Sequence, residues 1–237
     1  MKKAFLTSLT LTLSLAVLSS AHAAPPQQPK APGIESPDYV WEAQSGEEAI
    51  LLKMKGNAER GKIAYQGCQG CHKPDASGLP DGAYPQLAGQ HITVLIKQIS
   101  DVREGRRDNP KMFPFAGKHV MDTQEVADIA AFLNRLPLPG NNGKGPGSDL
   151  ARGKALYQKD CVTCHGERGE GNAEKFYPVT KGQHYRYLVR QITAIRDGNR
   201  RNANPKMVKV VKRYSTSDIS AVADYISRIG PGEKTAK

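Results

Sequence analysis

One pattern of cysteine and histidine occurs twice in this chain, and it is the pattern with the clearest chemistry. The first copy spans residues 68–72 (CQGCH) and the second spans residues 161–165 (CVTCH), 93 residues later. On a helical turn the second cysteine lies three residues after the first and the histidine lies four residues after it, so the three side chains project from one face. Two thiols so placed can bond the vinyl groups of one porphyrin while the imidazole ligates its iron.

The spacing therefore predicts two c-type haem groups, each attached covalently. The cysteines that would bind the porphyrins are Cys68, Cys71, Cys161 and Cys164, and the histidines that would ligate iron are His72 and His165. A structural zinc site would have to gather four thiolates or leave two equivalent histidines without a role. A thioredoxin-like redox pair needs a strand-rich unit, which this sequence does not predict. Because the motif recurs within an aligned repeat, haem attachment is favoured.

The repeat extends well beyond the motif and defines the elements that must position it. Segments that match at the offset of 93 are YP at 84 and 177, GQH at 89 and 182, and LIKQI and LVRQI at 95 and 188. The NPKM segments at 109 and 204 follow after the second copy has gained two residues. Each copy predicts the order helix, haem motif, Gly/Pro loop, helix, Met-bearing loop, helix.

Helix-capping residues and breaker residues predict the domain bounds. We expect a first domain over residues 57–138, a linker over 139–147 and a second domain over 148–230. Asn57 and the Ser148-Asp149 pair are the expected caps of the first helices, and Thr123 and Ser217 are the expected caps of the last helices. The run PLPGNNGKGPG from residue 137 suits neither helix nor strand.

The two ends of the chain are predicted to lie outside these domains. Residues 1–23 have a basic start, an apolar run and an Ala-His-Ala cleavage site, which are typical of a secretory signal peptide. In a bacterium that route predicts a periplasmic location. A membrane anchor would need about 20 predominantly apolar residues, and no later stretch qualifies, so we expect no stable membrane insertion. Residues 231–237 form a short C-terminal tail.

Residues 24–56 form a Pro-rich N-terminal extension that contains the single tryptophan of the chain, Trp41. A short helix is expected near residues 49–52. We predict that this segment packs against the first domain, and binding to a partner is the alternative.

The charge of the chain is unevenly distributed, although the total is +11. Residues 148–237 contain 18 Lys and Arg against 9 Asp and Glu, a net charge of +9. Residues 24–147 contain 14 of each kind and are neutral. A basic second domain indicates steered docking to a redox partner with an acidic surface. We expect no binding to nucleic acid.

The repeat resembles the class I cytochrome c domain, and the tandem with its Gly-Gln-His segment is similar to the dihaem cytochromes c of the c-four kind. The resemblance covers about residues 57–230. It implies an all-α fold in which each of two small helical bundles surrounds one covalently bound haem. It also implies that a proline of the loop, here Pro85 or Pro178, accepts a hydrogen bond from the imidazole Nδ1.

The same resemblance implies a methionine sulfur as the sixth iron ligand, and this would be Met112 for the first haem and Met207 for the second. Both follow Asn-Pro-Lys and precede the last helix of their repeat. Met121 and His119 lie in the same loop as Met112 and are alternative candidates for the sixth ligand of the first haem. A thioether ligand raises the reduction potential relative to a second histidine.

His91 and His184 are also paired by the repeat, but both stand at the start of a helix. A capping role or a hydrogen bond between the domains is favoured over iron ligation.

These residues favour a periplasmic electron carrier over an enzyme. Full His/Met ligation leaves no open iron position for a dihaem peroxidase. A dihaem thiosulfate dehydrogenase uses a cysteine as distal ligand, and all 4 cysteines of this chain stand in the two motifs. The alternative is a dihaem c-type oxidoreductase, or its electron-accepting subunit, in thiosulfate oxidation. Basic residues that would attract an anionic substrate include Arg103, Arg106, Arg107, Arg200 and Arg201.

Overall fold

A computed structural model describes residues 26–42 and 44–230. The predicted signal peptide and the predicted C-terminal tail lie outside the described residues. Within those ranges the chain forms helices and loops, and extended backbone pairs in a single antiparallel bridge between Asn172 and Tyr177. The all-α class predicted from the sequence is confirmed.

The helices of the described residues follow the repeat. Helix α1 (Gly46–Leu51) precedes the first copy, whose helices are α2 (Ala58–Ala64), α3 (Gln69–His72), α4 (Ile92–Arg103), α5 (Phe113–Ala116) and α6 (Thr123–Arg135). The second copy has α7 (Leu150–Asp160), α8 (Val162–His165), α9 (Tyr185–Arg196), α10 (Pro205–Val211) and α11 (Thr216–Arg228). A 3₁₀ turn joins α2 to α3.

The caps of the first-domain helices match the predicted kind of residue, but one lies at a different position. Asn57 caps α2, because its side chain accepts the backbone N–H groups of residues 59 and 60. The prediction of Thr123 as a cap was wrong. Asp122 caps α6 in a reciprocal capping box with Glu125, and the Thr123 hydroxyl donates to the Glu47 carboxylate instead, at 2.9 Å.

In the second domain, too, the cap of the last helix lies before the predicted residue. Ser215, and not Ser217, caps α11, and it forms a capping box with Asp218. Asp149 stands at the N-cap of α7 without a side-chain cap hydrogen bond. The linker that precedes it has neither helix nor strand, and its Gly147 N–H is bound by the carboxylate of Asp224 on α11, at 2.6 Å.

Each copy of the repeat builds its own apolar core around the crossing of its first and last helices. In the first copy Tyr65 is fully buried, and its ring lies 5.5 Å from that of Phe132. In the second copy Tyr157 is buried, and its ring lies 5.5 Å from that of Tyr225. In both copies an aromatic residue just before the haem motif therefore contacts an aromatic residue of the last helix.

The N-terminal extension lies across both domains, which is more than the sequence predicted. Its residues 26–42 form a strap. On the first domain, the Gln28 amide group donates to the carbonyls of Val102 and Arg107, both at 2.8 Å. On the second domain, the indole Nε1 of Trp41 donates to the Asn202 carbonyl at 3.2 Å.

Glycine makes the two helix crossings possible, and this can be tested. A Cβ at Gly61 would overlap the carbonyl of Asp128, and a Cβ at Gly153 would overlap the carbonyl of Ala221. We therefore expect Gly61→Ala and Gly153→Ala each to lower the free energy of unfolding of its own domain by about 1–3 kcal/mol. Guanidinium titration followed by far-UV circular dichroism measures the loss.

The matched control is Gly67→Ala, since a Cβ at Gly67 would meet no atom within 4 Å. It should leave stability unchanged or slightly raised, because alanine loses less backbone entropy than glycine. Equal destabilisation by all three variants would contradict the assignment of the crossings.

Candidate functional site

The two Cys-x-x-Cys-His motifs have the same local structure. In the second motif the backbone N–H groups of Cys164 and His165 both donate to the carbonyl of Cys161, at 3.1 and 2.8 Å. This turn places the two sulfur atoms and the imidazole on one side of the backbone, as the spacing predicted. The chain then leaves the helix through a residue of positive φ, 68° at Lys73 in the first motif and 77° at Gly166 in the second.

Each imidazole of the motifs is oriented by a proline carbonyl. The Nδ1 atom of His72 lies 3.1 Å from the Pro85 oxygen, and Nδ1 of His165 lies 3.1 Å from the Pro178 oxygen. Because a carbonyl only accepts, Nδ1 carries the proton and Nε2 keeps its lone pair. Burial lowers the pKa of both histidines, so the neutral form is favoured. A neutral imidazole with a free Nε2 is the form that ligates iron.

The first cysteine of each motif is embedded among apolar groups. Burial raises the pKa of Cys68 to about 11 and that of Cys161 to about 12. Cys68 packs against the first core and Cys161 against the second. The four sulfur atoms therefore do not form one cluster, which argues against a single zinc site made of both motifs.

The predicted methionine ligands lie beside the same cores as the cysteines. Met112 and Cys68 both pack against the first core, and Met207 and Cys161 both pack against the second. Met112 precedes α5 as its N-cap residue, and Met207 lies within α10, so the predicted Met-bearing loops contain a short helix. Met121 also packs against the first core, so packing does not separate it from Met112.

His119 has a different environment from the two methionines of its loop. Its ring lies 5.5 Å from that of Phe113, in a tilted aromatic contact.

The tyrosine that precedes each proline lies next to the motif. The ring centroid of Tyr84 is 5.9 Å from that of His72, and that of Tyr177 is 6.4 Å from that of His165. Tyr177 also stacks on Trp41 with centroids 6.2 Å apart and planes 26° apart. The strap therefore reaches the second motif, a contact that no sequence pattern indicated.

The two domains meet through reciprocal glutamine amides. The Gln183 side chain accepts from the Gln86 N–H and donates to the Gln86 carbonyl, each at 2.9 Å. In the other direction, the Gln90 side chain accepts from the Val179 N–H at 2.9 Å and donates to its carbonyl at 3.0 Å. The offset of 93 relates the two glutamines, so the interface has an approximate two-fold axis. The Gly-Gln-His repeat is visible in the sequence, but the sequence pattern predicted no contact for its glutamines.

The contacts of His91 and His184 are related by the same approximate two-fold axis. His91 Nε2 lies 2.8 Å from the Glu170 carbonyl, and His184 Nε2 lies 2.7 Å from the Ser77 carbonyl. Both residues stand at the N-cap of a helix without a side-chain cap hydrogen bond. Of the two roles that the sequence favoured, the hydrogen bond between the domains is the one observed.

Two half-buried arginines face each other at this interface. Arg107 and Arg200 both donate to the amide oxygens of Gln98 and Gln191, at 2.8–3.4 Å. Burial and then repulsion from Arg107 lower the pKa of Arg200 to about 10.

Comparison with known proteins identifies the repeat. The sequence profile of the family Cytochrome c matches residues 58–137 and 150–229. The chain is 34% identical over 208 residues to a thiosulfate dehydrogenase electron acceptor from Stutzerimonas stutzeri, covering 80% of this chain and 95% of that protein. It is 32% identical over 193 residues to cytochrome c4 from Azotobacter vinelandii, covering 74% of this chain and 90% of that protein.

A solved structure agrees with these matches. The crystal structure of reduced recombinant cytochrome c4 from Pseudomonas stutzeri superposes with a TM-score of 0.64 at 28% identity, covering 73% of this chain and 98% of that one.

The glutamine contacts generate a prediction about the interface. Gln183→Leu would leave the Gln86 N–H and carbonyl unpaired in a buried place, which costs about 1–3 kcal/mol. We expect the domains to unfold in two separated guanidinium transitions instead of one coupled transition. The control Gln158→Leu stands at an exposed position of α7. If both variants unfold like the unmodified protein, the amide does not couple the domains.

Proposed function

The chain belongs to the cytochrome c family, and from this premise we propose how its residues serve two haems and where the protein works. The protein carries two covalently attached haem c groups and transfers single electrons between redox partners. Haem supplies an iron that changes between the ferrous and ferric states. The chain's own residues would attach the porphyrin, ligate its iron and present each domain to a partner.

The proposed attachment uses Cys68 and Cys71 in the first domain and, in the second domain, Cys161 and Cys164. His72 and His165 are the proposed proximal ligands. The hydrogen bonds from Nδ1 to the proline carbonyls support this role, because they fix the tautomer and aim Nε2 away from the loop.

The proposed distal ligands are Met112 and Met207. Their support is that each packs beside the core that also holds a cysteine of its own motif. A thioether at this position stabilises the ferrous form and raises the reduction potential. It would also leave no open position on the iron for small molecules, which suits an electron carrier. Met121 stays the competing ligand in the first domain, because it packs against the same core.

A carrier without catalytic activity is the function that we favour. The observation that carries it is the matched pair of motifs, each with its own methionine, in a chain whose 4 cysteines all lie in those motifs. The second candidate is the electron-accepting subunit of a thiosulfate-oxidising enzyme, and the name of the Stutzerimonas stutzeri relative favours it. The two candidates are compatible, since an acceptor is a carrier with one particular donor.

We place the protein in the periplasm, exported by the signal peptide of residues 1–23. The described residues contain no helix with the length and apolar character that a membrane span needs. The proposed partners are redox proteins with an acidic surface, which the net +9 of residues 148–237 would attract.

The axial ligands can be tested by redox titration. We expect Met112→Ala and Met207→Ala each to make one haem high-spin and to lower its potential by on the order of 0.1 V, because the iron loses its thioether. Optical titration of the intact protein measures both changes. Met54→Ala is the control, since Met54 packs against the first core outside the repeat. If Met121→Ala, and not Met112→Ala, opens the first haem, the assignment in that domain is wrong.

The second test separates the carrier from an enzyme. Oxidised protein mixed with thiosulfate alone should stay oxidised, whereas ascorbate should reduce both haems. Rapid reduction by thiosulfate alone would show that the protein is itself a thiosulfate-oxidising enzyme.

A further inference from the structure

The internal repeat allows one surface of the second domain to be interpreted from its counterpart in the first. Helices α4 and α9 correspond at the offset of 93, and each uses one face to build its core. The side of α4 next to helix α1 carries Lys97 and Ser100, which are both buried, and is flanked by Ile96 of the first core. The N-terminal extension contacts Lys97 from two places, because Glu48 of α1 lies near its Nζ and the Trp41 ring of the strap lies 5.3 Å from it.

Helix α1 binds α4 through carboxylates and one aliphatic side chain. The Glu48 carboxylate lies 3.8 Å from the Lys97 Nζ and 3.0 Å from Arg106. One turn further on, Leu51 is fully buried within the first core. Glu47 is bound through both of its oxygens by Arg103, at 2.9 and 3.0 Å. An acidic, amphipathic turn of helix is therefore the complement of this face.

The equivalent face of α9 is open. It forms a groove of about 460 Å³, and in the described part of the chain no segment covers it. Its lining includes Arg186, Val189, Arg190, Thr193, Ala194 and Asn199, and we call it the α9 groove. The opposite face of α9, with Leu188 and Ile192, is buried in the second core together with Cys161 and Met207. The α9 groove lies on the other side of α9 from Leu188 and Ile192, and its floor residue Val189 also packs against the second core.

The substitutions between the two faces make the α9 groove more cationic than its counterpart. Arg190 replaces Lys97 and keeps the positive charge that pairs with Glu48 in the first domain. Ala194 replaces Asp101, whose carboxylate lies 3.5 Å from Lys97. Arg186 replaces a threonine and adds a second exposed cation. Asn199 replaces Arg106, the closer partner of Glu48, so one cation is lost as well as the acid. The net result is an apolar floor with two cations, Arg186 and Arg190, and no acid among the lining residues.

We propose that the α9 groove is the docking site for an acidic amphipathic helix of a redox partner, bound as α1 is bound on α4. This rests on the proposed function, because it names a surface by which the carrier meets its partner. The matching helix has two adjacent carboxylates and an aliphatic residue three positions later, like Glu47, Glu48 and Leu51. The carboxylates face Arg186 and Arg190, and the aliphatic side chain lies on Val189.

The probe is a synthetic helix-stabilised peptide with the sequence of residues 44–52 (QSGEEAILL), added to the full-length haem protein. Amide shifts in ¹H–¹⁵N spectra should change along α9. The double variant Arg186→Glu, Arg190→Glu should weaken binding by about tenfold, since it reverses two charge contacts. The control Lys154→Glu, Lys159→Glu makes the same charge change at exposed positions of α7 and should leave binding unchanged.

Three results would overturn the proposal. The first is that the peptide does not bind or perturbs another surface, and the second is that both double variants weaken it equally. The third is self-association of the protein that is lost in the Arg186→Glu, Arg190→Glu variant, which would assign the groove to a second copy of the chain. Ascorbate reduction of both haems in every variant verifies folding. Normal reduction without peptide binding rejects the docking site alone, whereas haems that do not cycle reject the carrier function.

Discussion

The hydrogen bond from each motif imidazole to a proline carbonyl is the interaction on which the structure of the rest of each domain depends. The carbonyl comes 13 residues after the histidine, so the intervening loop must return to the motif. Gly78 and Gly171 make the return possible: each has φ of +71°, and a Cβ on either would overlap the backbone of the proline. Their N–H groups also bind the carbonyls of His72 and His165, which closes the loop.

A second constraint acts between the domains. Reciprocal amide contacts and the strap both oppose rotation of one domain against the other. Arg201 adds to this, because its guanidinium binds Glu35 of the strap at 2.7 Å and Asp108 of the first domain at 3.1 Å. Electron transfer between two centres depends steeply on their separation, so a rigid pair of domains gives one defined route for charge. The strap and the interface therefore both fix the position of one motif relative to the other.

The sequence predicted those features of the structure that depend on residues close together in the chain. The motifs, the repeat and the order of helices follow from residues close in the chain. The caps were misplaced by one or two residues because neighbouring polar side chains compete for the position. Asp122 and Ser215 cap their helices because each has an acidic residue three positions later, Glu125 or Asp218, that completes a capping box. The contact of Trp41 with Asn202 joins residues 161 positions apart, and no local pattern encodes it. The choice between Met112 and Met121 stayed open for a similar reason, since one core contacts both.

The reciprocal glutamine and histidine contacts have the form of an isologous interface, in which one patch binds its own equivalent. Two separate single-domain molecules carrying these residues could form both halves of that interface by dimerising. Residues 139–147 join the two halves of such a dimer into a single chain, so the stoichiometry is fixed at one to one. The link also gives each half a high effective concentration near the other. Once the halves cannot exchange, they are free to diverge. One has a helix over its side face, whereas no described segment covers the equivalent face of the other, which forms a cationic groove.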